Sequence, residues 1–175
     1  GQRFSGPNDC WVDRDGAIYF TDPLYKRPYW TQVIPADNPR GVYRVSPEGK
    51  VTKVAGDLKQ PNGIIGDAEN RQLYVADIGD GKTYRYQIDA SGQLTNRILF
   101  CSRGSDGMTI DEDRNLYLTG WGVTIFNRYG TKLEFIPVPK GSTANVTFAG
   151  PQRRDLFITA KDSVFVIKMS VAGLK

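Results

Sequence analysis

The stretch SDGMTIDEDRNLYLTG, residues 105–120, contains the pattern that decides the fold. A carboxylate, Asp106, precedes a short apolar segment, a charged turn follows, and the alternating segment NLYLT around Tyr117 is typical of a β-strand. Burying an unpaired carboxylate costs several kcal/mol. Asp106 is therefore expected either to reach solvent or to face a positively charged partner.

The same pattern occurs four times along the 175-residue chain. The other copies are PNDCWVDRDGAIYFTD from residue 7, PNGIIGDAENRQLYVAD from residue 61 and ANVTFAGPQRRDLFITA from residue 144. An aromatic residue recurs at separations of 55, 43 and 40 residues: Tyr19, Tyr74, Tyr117 and Phe157. The leading polar residues recur at separations of 54, 44 and 39: Asn8, Asn62, Asp106 and Asn145. A repeat of about 40–45 residues is typical of a β-propeller blade.

Further alternating segments lie between these hairpins, at residues 41–56, 82–100, 122–138 and 162–169. The first three surround a glycine-containing turn, as a hairpin does. Two hairpins per repeat make a four-stranded sheet, so the sequence predicts an all-β propeller with about four blades in this chain. No segment keeps a helical period, so helices should be minor. A β-sandwich is the alternative fold, and it predicts no regular spacing.

The leading polar residues should converge on one axis, because the innermost strands of a propeller line its central channel. Asp106 would then face the channel instead of an apolar core. Amide and carboxylate oxygens are hard ligands, so this convergence predicts one divalent cation; Ca²⁺ is favoured, and Zn²⁺, Mg²⁺ and Mn²⁺ stay open. The alternative is that each Asn or Asp only caps the turn before its strand.

Composition excludes several classes of function. The chain has no histidine, which removes a Ser-His-Asp triad and a His-ligated zinc site. The net charge of +4 is scattered, so no nucleic-acid partner is expected. No apolar run approaches the roughly 18 residues of a membrane span, so no membrane partner is expected and the compartment, cytoplasmic or exported, stays open. Cys10 and Cys101 are expected to be free thiols, with a disulfide as the alternative.

Four segments resemble successive parts of the gluconolactonase/regucalcin (senescence marker protein) family: SGPNDCWVDRDGAIYFTDP, GVYRVSPEGKVTKVAGDLKQPNGI, SDGMTIDEDRNLYLTGWGVTIFN and ANVTFAGPQRRDLFITA. The PND, PNG and DGM motifs occur in order and at fitting separations. The resemblance implies a six-bladed propeller that binds one divalent metal ion in its channel and hydrolyses sugar lactones. It further implies that residues 1–175 are a single, partial propeller domain, and that two N-terminal blades come from the rest of the chain or a companion fragment.

The same resemblance assigns roles to individual residues. Asn8 and Asn62 correspond to metal-ligand asparagines, Asp106 to an aspartate that is both a metal ligand and the general base, and Asn145 falls close to the site. The family's remaining ligand, a glutamate of the first blade, has no counterpart, because the glutamates here fall in turns or outer strands: Glu48, Glu69, Glu112 and Glu134. The family's substrate-binding arginine is also absent, and Gly6 stands in its place.

Other features of the sequence have two interpretations each. Asp9 either supports the metal ligands or caps a turn. Trp121 is either a packing anchor or a platform for substrate. The acidic turn at residues 111–115 has the charge of a calcium loop, but it lacks the length and the terminal glutamate of an EF-hand and is expected to be solvated.

The loop of residues 22–40 is the longest insertion between hairpins. Its aromatic residues Tyr25, Tyr29 and Trp30 either form a lid over a sugar ring or pack within the loop.

Three functions are therefore open. The first is a metal-dependent lactonase, in which water attacks the carbonyl of a sugar lactone and Asp106 accepts the proton. The second is a phosphotriester or aryl-ester hydrolase acting on the same metal site. The third is a propeller that binds calcium or a protein without turnover.

Overall fold

The computed structural model describes residues 3–31 and 40–175, which form four antiparallel sheets and one 3₁₀ turn. The first sheet contains β1 (Cys10–Val12), β2 (Ile18–Asp22), β3 (Gly41–Val45) and β4 (Val51–Ala55). The second contains β5 (Pro61–Asp67), β6 (Gln72–Asp77), β7 (Lys82–Ile88) and β8 (Leu94–Cys101). The third contains β9 (Met108–Ile110), β10 (Leu116–Thr119), β11 (Val123–Phe126) and β12 (Lys132–Ile136). The fourth contains β13 (Asn145–Ala149), β14 (Asp155–Ala160) and β15 (Ser163–Lys168), and the 3₁₀ turn spans Ile78–Asp80.

Each sheet is one blade of a propeller. The strands of every sheet are hydrogen-bonded in chain order, and the first strands contact one another in succession, β1 with β5, β5 with β9 and β9 with β13. These four strands are therefore nearest the common axis, as predicted. The alternating segments between the repeats form the outer strands. Four sheets that pack one after another exclude the β-sandwich.

The recurring aromatic residues occupy equivalent places in the second strand of each sheet. Tyr19, Tyr74 and Tyr117 are each at most 2% exposed and belong to three successive apolar clusters between sheets. The residue before each recurring aromatic residue, Phe157 included, points to the opposite face, because side chains alternate along a strand. Leu73, Leu116 and Leu156 hold that place and are fully buried against the preceding sheet.

The outermost sheets each leave one apolar face open in the described structure. Phe157 holds the place of the buried tyrosines, but it is 41% exposed because no described sheet follows it. Ile18 holds the place of the buried leucines and is 36% exposed, because no described sheet precedes it. Their cross-strand neighbours Val12 and Val166 are also exposed, at 57% and 53%. Each open face therefore carries apolar residues of the kind that the other sheets bury between neighbouring blades.

Two ion pairs, each with a buried carboxylate and a partly exposed arginine, join successive sheets at the far end of the innermost strands. Asp13 follows β1 and pairs with Arg71 at 2.9 Å, and Asp67 at the end of β5 pairs with Arg114 at 3.3 Å. Both arginines have positive φ angles, 54° and 63°, a conformation that costs roughly 1–2 kcal/mol for a residue with a side chain. The ion pairs give these turn positions a role in holding neighbouring blades together.

The acidic turn at residues 111–115 differs from its prediction as a solvated turn. Asp111 is fully buried, because its carboxylate accepts hydrogen bonds from the backbone and side chain of Asn115 and from the Tyr117 hydroxyl. Glu112 and Asp113 are exposed. The turn is thus organised around a buried carboxylate.

Two further predictions concern the cysteines and membrane association. Both cysteines are free; Cys10 is exposed and Cys101 is buried. Burial raises the pKa of the Cys101 thiol to about 11. Within residues 3–31 and 40–175, no helix has the length and apolar character of a membrane span.

Candidate active site

Three of the four leading polar residues meet at one end of the innermost strands. Asn8, Asn62 and Asp106 line a single cavity of about 690 Å³, together with Tyr25 and Trp121. Asp106 is exposed there, which is how a carboxylate can precede the apolar strand β9 without being buried in the core. The predicted convergence on the channel mouth is therefore present for these three residues.

The other two predicted site residues lie beside the cavity and do not line it. Asn145 begins β13, and its Oδ1 accepts a hydrogen bond from the Val146 N–H at 2.8 Å, so this side chain caps its own strand. Asp9 Oδ2 accepts a hydrogen bond from the Ile64 N–H at 3.1 Å, which ties the first sheet to the second next to Asn62. Their functional roles stay predictions.

Two glycines allow the leading residues to approach one another. The Gly63 N–H donates to the Ser105 carbonyl at 3.3 Å, and the Gly107 N–H donates to the Ala144 carbonyl at 2.8 Å. A Cβ atom on Gly63 would lie 2.5 Å from the Asp106 carbonyl oxygen, and one on Gly107 would overlap the Asn145 side chain. The glycines of the PNG and DGM motifs are thus required for neighbouring strands to meet at the channel mouth.

The side chain of Asn62 is only partly satisfied by hydrogen bonds. Its side chain is 2% exposed, and its Nδ2 donates to the Tyr25 hydroxyl at 2.5 Å. Its Oδ1 is buried and has no hydrogen-bond partner among the described residues. A buried acceptor left unpaired costs about 1–3 kcal/mol. An amide oxygen of this kind, beside a cavity that Asp106 also lines, suits a hard cation.

Two carboxylates lie close together at the site. Burial raises the pKa of Asp9, the N–H groups of Ile64 and Cys10 oppose that shift, and the negative charge of Asp106 adds to it. Within the described residues no group of three or more His, Cys, Asp or Glu side chains could hold a metal ion, and none of the four glutamates lines the cavity. A cation at this place would depend mainly on amide oxygens and on Asp106.

Sequence reasoning missed a hydroxyl network that fixes the backbone around Asp106. Ser105 Oγ donates to the Gly107 carbonyl at 2.6 Å and accepts from the Thr119 N–H at 2.7 Å. Thr119 Oγ1 accepts from the Gly107 N–H at 3.1 Å. Residues on both sides of Asp106 are thus held by buried hydroxyls.

A signal for this network is present in the sequence. Threonine occurs two residues after the recurring aromatic in three of the four repeats, at Thr21, Thr119 and Thr159. Thr21 Oγ1 donates to the Asn62 carbonyl at 2.7 Å, and Thr159 Oγ1 accepts from the Asn145 N–H at 2.9 Å. The recurring threonine therefore holds the leading polar residue of its own or the next sheet.

Loops outside the repeats contribute part of the cavity wall. Trp121 is 77% exposed, and its ring lies against Gly141. Arg27 also lines the cavity and lies over the Tyr25 ring, 5.8 Å from its centroid; it was not among the predicted residues. Trp30 lies against Gly6, and Tyr29 is 77% exposed. Residues 32–39 of this predicted lid lie outside the described residues.

Comparisons with known proteins agree with the resemblance noted in the sequence. The family model described as the SMP-30/Gluconolactonase/LRE-like region matches residues 1–162. A gluconolactonase from Zymomonas mobilis is 31% identical over 99% of the chain and 53% of its own length. A diisopropyl-fluorophosphatase from Loligo vulgaris is 29% identical over 96% of the chain and 58% of its own length.

A solved structure gives the same result for the fold. The gluconolactonase from Xanthomonas campestris superimposes with a TM-score of 0.84 at 30% identity, covering 99% of this chain and 59% of that one. The chain thus spans about half the length of the curated relatives that it matches.

Proposed function

The chain belongs to the SMP-30/gluconolactonase/LRE-like family, and we propose that the full-length protein is a metal-dependent hydrolase that opens a sugar lactone. The observation that carries the proposal is the convergence of Asn8, Asn62 and Asp106 on one cavity. Relatives with the names gluconolactonase and lactonase support the reaction class.

Asn8, Asn62 and Asp106 would hold the metal ion. The unpaired Oδ1 of Asn62 supports this assignment, because a cation would satisfy an oxygen that no described residue satisfies. Neutral amide oxygens with one carboxylate favour Ca²⁺, and Zn²⁺, Mg²⁺ and Mn²⁺ are the alternatives. A divalent ion at this position would polarise the ester carbonyl of the substrate.

Asp106 is the proposed general base. It is exposed to the cavity, where it can accept a proton from the attacking water, and the Ser105–Thr119 network holds its backbone in place. Water adds to the lactone carbonyl carbon, the ring C–O bond breaks, and the ring oxygen leaves as a hydroxyl of the resulting hydroxy acid after taking up a proton. Trp121 and Tyr25 supply the walls against which the sugar ring would lie.

We further propose that additional blades of the full-length protein cover the two open sheet faces. Ile18 and Phe157 stand where every other sheet buries a leucine and a tyrosine, and the curated relatives are about twice as long as this chain. Two further blades would complete the six-bladed ring that the family resemblance implies. They would also supply the glutamate ligand that these residues lack.

The first test is acid release from gluconolactone by the full-length protein, corrected for spontaneous hydrolysis, with and without a chelator. Metal-dependent turnover supports the proposal. Equal rates above background with and without the chelator would remove the metal from the mechanism. No turnover in either condition would favour a binding function without catalysis.

A second candidate function is phosphotriester hydrolysis on the same site. The observation that favours it is the 29% identity to a diisopropyl-fluorophosphatase over 96% of the chain. Fluoride release from diisopropyl fluorophosphate, measured beside gluconolactone hydrolysis, separates the two activities. A higher kcat/KM for the fluorophosphate would make phosphotriester hydrolysis the main activity.

A further inference from the structure

We propose that a second site, on the far face of the molecule, binds a small phosphate anion. A pocket of about 280 Å³ lies between the second and third sheets, among the turns that follow the innermost strands. It is therefore at the opposite end of those strands from the candidate active site. Three arginines line it, Arg85, Arg114 and Arg128, and no carboxylate lines it among the described residues.

Two of these arginines lack a carboxylate partner. Arg114 pairs with Asp67 and Glu69, but neither Arg85 nor Arg128 forms an ion pair within residues 3–31 and 40–175. An unpaired guanidinium presents several donors in a planar fork that matches the oxygen atoms of phosphate. The pocket thus contains two guanidinium groups whose charge no described carboxylate neutralises by direct contact, although each makes a hydrogen bond to an uncharged group.

The turn that carries Arg128 is held in one conformation. Asn127 Oδ1 accepts hydrogen bonds from the N–H groups of Tyr129 and Thr131, each at 3.0 Å. Arg85 Nη1 donates to the Arg128 carbonyl at 3.4 Å, which brings both guanidinium groups to the same turn. Because the scaffold is formed before a ligand arrives, less ordering is needed on binding.

Arg114 and Arg128 lie close enough for their like charges to interact. The hydrogen bond with Tyr129 raises the pKa of Arg128, whereas the like charge of Arg114 lowers it and Asp113 has a small opposite effect. The same hydrogen bond lowers the pKa of the Tyr129 hydroxyl. A bound anion would reduce the repulsion between the arginines.

The volume of the pocket limits the size of the ligand. Pockets for drug-sized molecules occupy about 300–1,000 Å³, so a pocket of about 280 Å³ suits a phosphate group with at most a small substituent. Asn70 also lines the pocket, and its Nδ2 donates to Asp67 Oδ2 at 2.6 Å. Two sources share this chemistry, free inorganic phosphate and the phosphate group of a small phosphorylated molecule.

The test is a titration of the full-length protein with inorganic phosphate, and separately with methyl phosphate, at constant ionic strength. Binding is followed by calorimetry and by the backbone amide NMR signals of Asn70 and Tyr129. The variants are Arg85→Gln and Arg128→Gln. Arg14→Gln is the matched control, because Arg14 is an exposed arginine in the corresponding turn of the first sheet. Retained NMR fingerprints show that each variant is folded.

We expect saturable binding to the wild type, about tenfold weaker in each pocket variant and unchanged in the control, since each lost charge-assisted hydrogen bond removes a strong contact. Tighter binding of methyl phosphate than of phosphate would assign the site to a phosphorylated molecule, and the reverse to the free ion. Absence of a saturable response, or equal affinity in wild type and both pocket variants, would overturn the proposal.

Discussion

Replacement of Asn62 by alanine should leave the metal-free protein at least as stable as wild type but weaken its stabilisation by metal. The side chain makes one hydrogen bond, from Nδ2 to the Tyr25 hydroxyl, and leaves Oδ1 buried without a partner. Losing the hydrogen bond costs about 1 kcal/mol, while removing the unpaired oxygen returns about 1–3 kcal/mol. In the presence of chelator, the free energy of unfolding of Asn62→Ala should therefore equal the wild-type value or exceed it by up to about 2 kcal/mol.

With metal bound, the wild-type protein should instead have the larger free energy of unfolding. A ligand that binds only the folded state stabilises it by about 2.7 kcal/mol at a free concentration of one hundred times Kd. Wild-type protein should show this gain with Ca²⁺, whereas Asn62→Ala, which lacks one ligand oxygen, should show a smaller gain at the same concentration. The assay is urea denaturation of the full-length protein with chelator and with a series of Ca²⁺ concentrations.

Asn145→Ala is the matched control, because the Asn145 Oδ1 is already satisfied by the Val146 N–H. This variant should lose about 1 kcal/mol with and without metal. If Asn62→Ala is the less stable protein in chelator and wild type gains nothing more from Ca²⁺ than the variant does, the unpaired oxygen is not a metal ligand.

Three further predictions concern the blades. Arg71→Ala leaves the buried Asp13 carboxylate unpaired and should cost about 3–5 kcal/mol in urea denaturation, whereas a loss below 1 kcal/mol would show that the ion pair is unimportant. Ile18→Ala in the full-length protein should cost about 2–5 kcal/mol if another blade covers it; a surface-like loss of at most about 0.5 kcal/mol would contradict that blade. Burial raises the pKa of Cys101, so its thiol should react with a maleimide only after unfolding; labelling in the native protein as fast as in the unfolded chain would contradict its burial.

The propeller could be predicted because two positions, the leading polar residue and the aromatic residue, recur along the chain at nearly the same separations. Tyr19, Tyr74 and Tyr117 mark equivalent strands, and the alternation of side chains then assigns the neighbouring leucines to the opposite face. The exposure of Phe157 depends on how many sheets surround it. That number is not a property of the repeat itself.

The candidate site was predictable where it follows the repeat and unpredictable where it depends on loops. Asn8 and Asp106 lie just before innermost strands and Asn62 is the second residue of one, so their convergence follows from the topology. The position of Arg27 and the contact between Tyr25 and Asn62 depend on the path of an irregular loop. This loop has no repeating sequence pattern from which its path could be predicted.

Burial of single polar residues was also beyond the sequence. Asp111 lies in a turn of charged residues that looks solvated, and only the contacts with Asn115 and Tyr117 show that its carboxylate is enclosed. The network around Thr119, in contrast, could have been found from the threonine that recurs two residues after the recurring aromatic residue.

In the proposed mechanism, Asp106 is the proton acceptor as well as a metal ligand, while Asn8 and Asn62 are ligands only. The most direct test is lactone hydrolysis as a function of metal concentration for Asp106→Asn, Asn8→Ala and Asn62→Ala in the full-length protein. The asparagine variants should regain most of the wild-type kcat at saturating metal, because each lacks a ligand but keeps the base. Asp106→Asn should stay about 10²–10⁴-fold slower at every metal concentration. Recovery of the wild-type kcat by Asp106→Asn at saturating metal would contradict the account, because the base would then lie elsewhere.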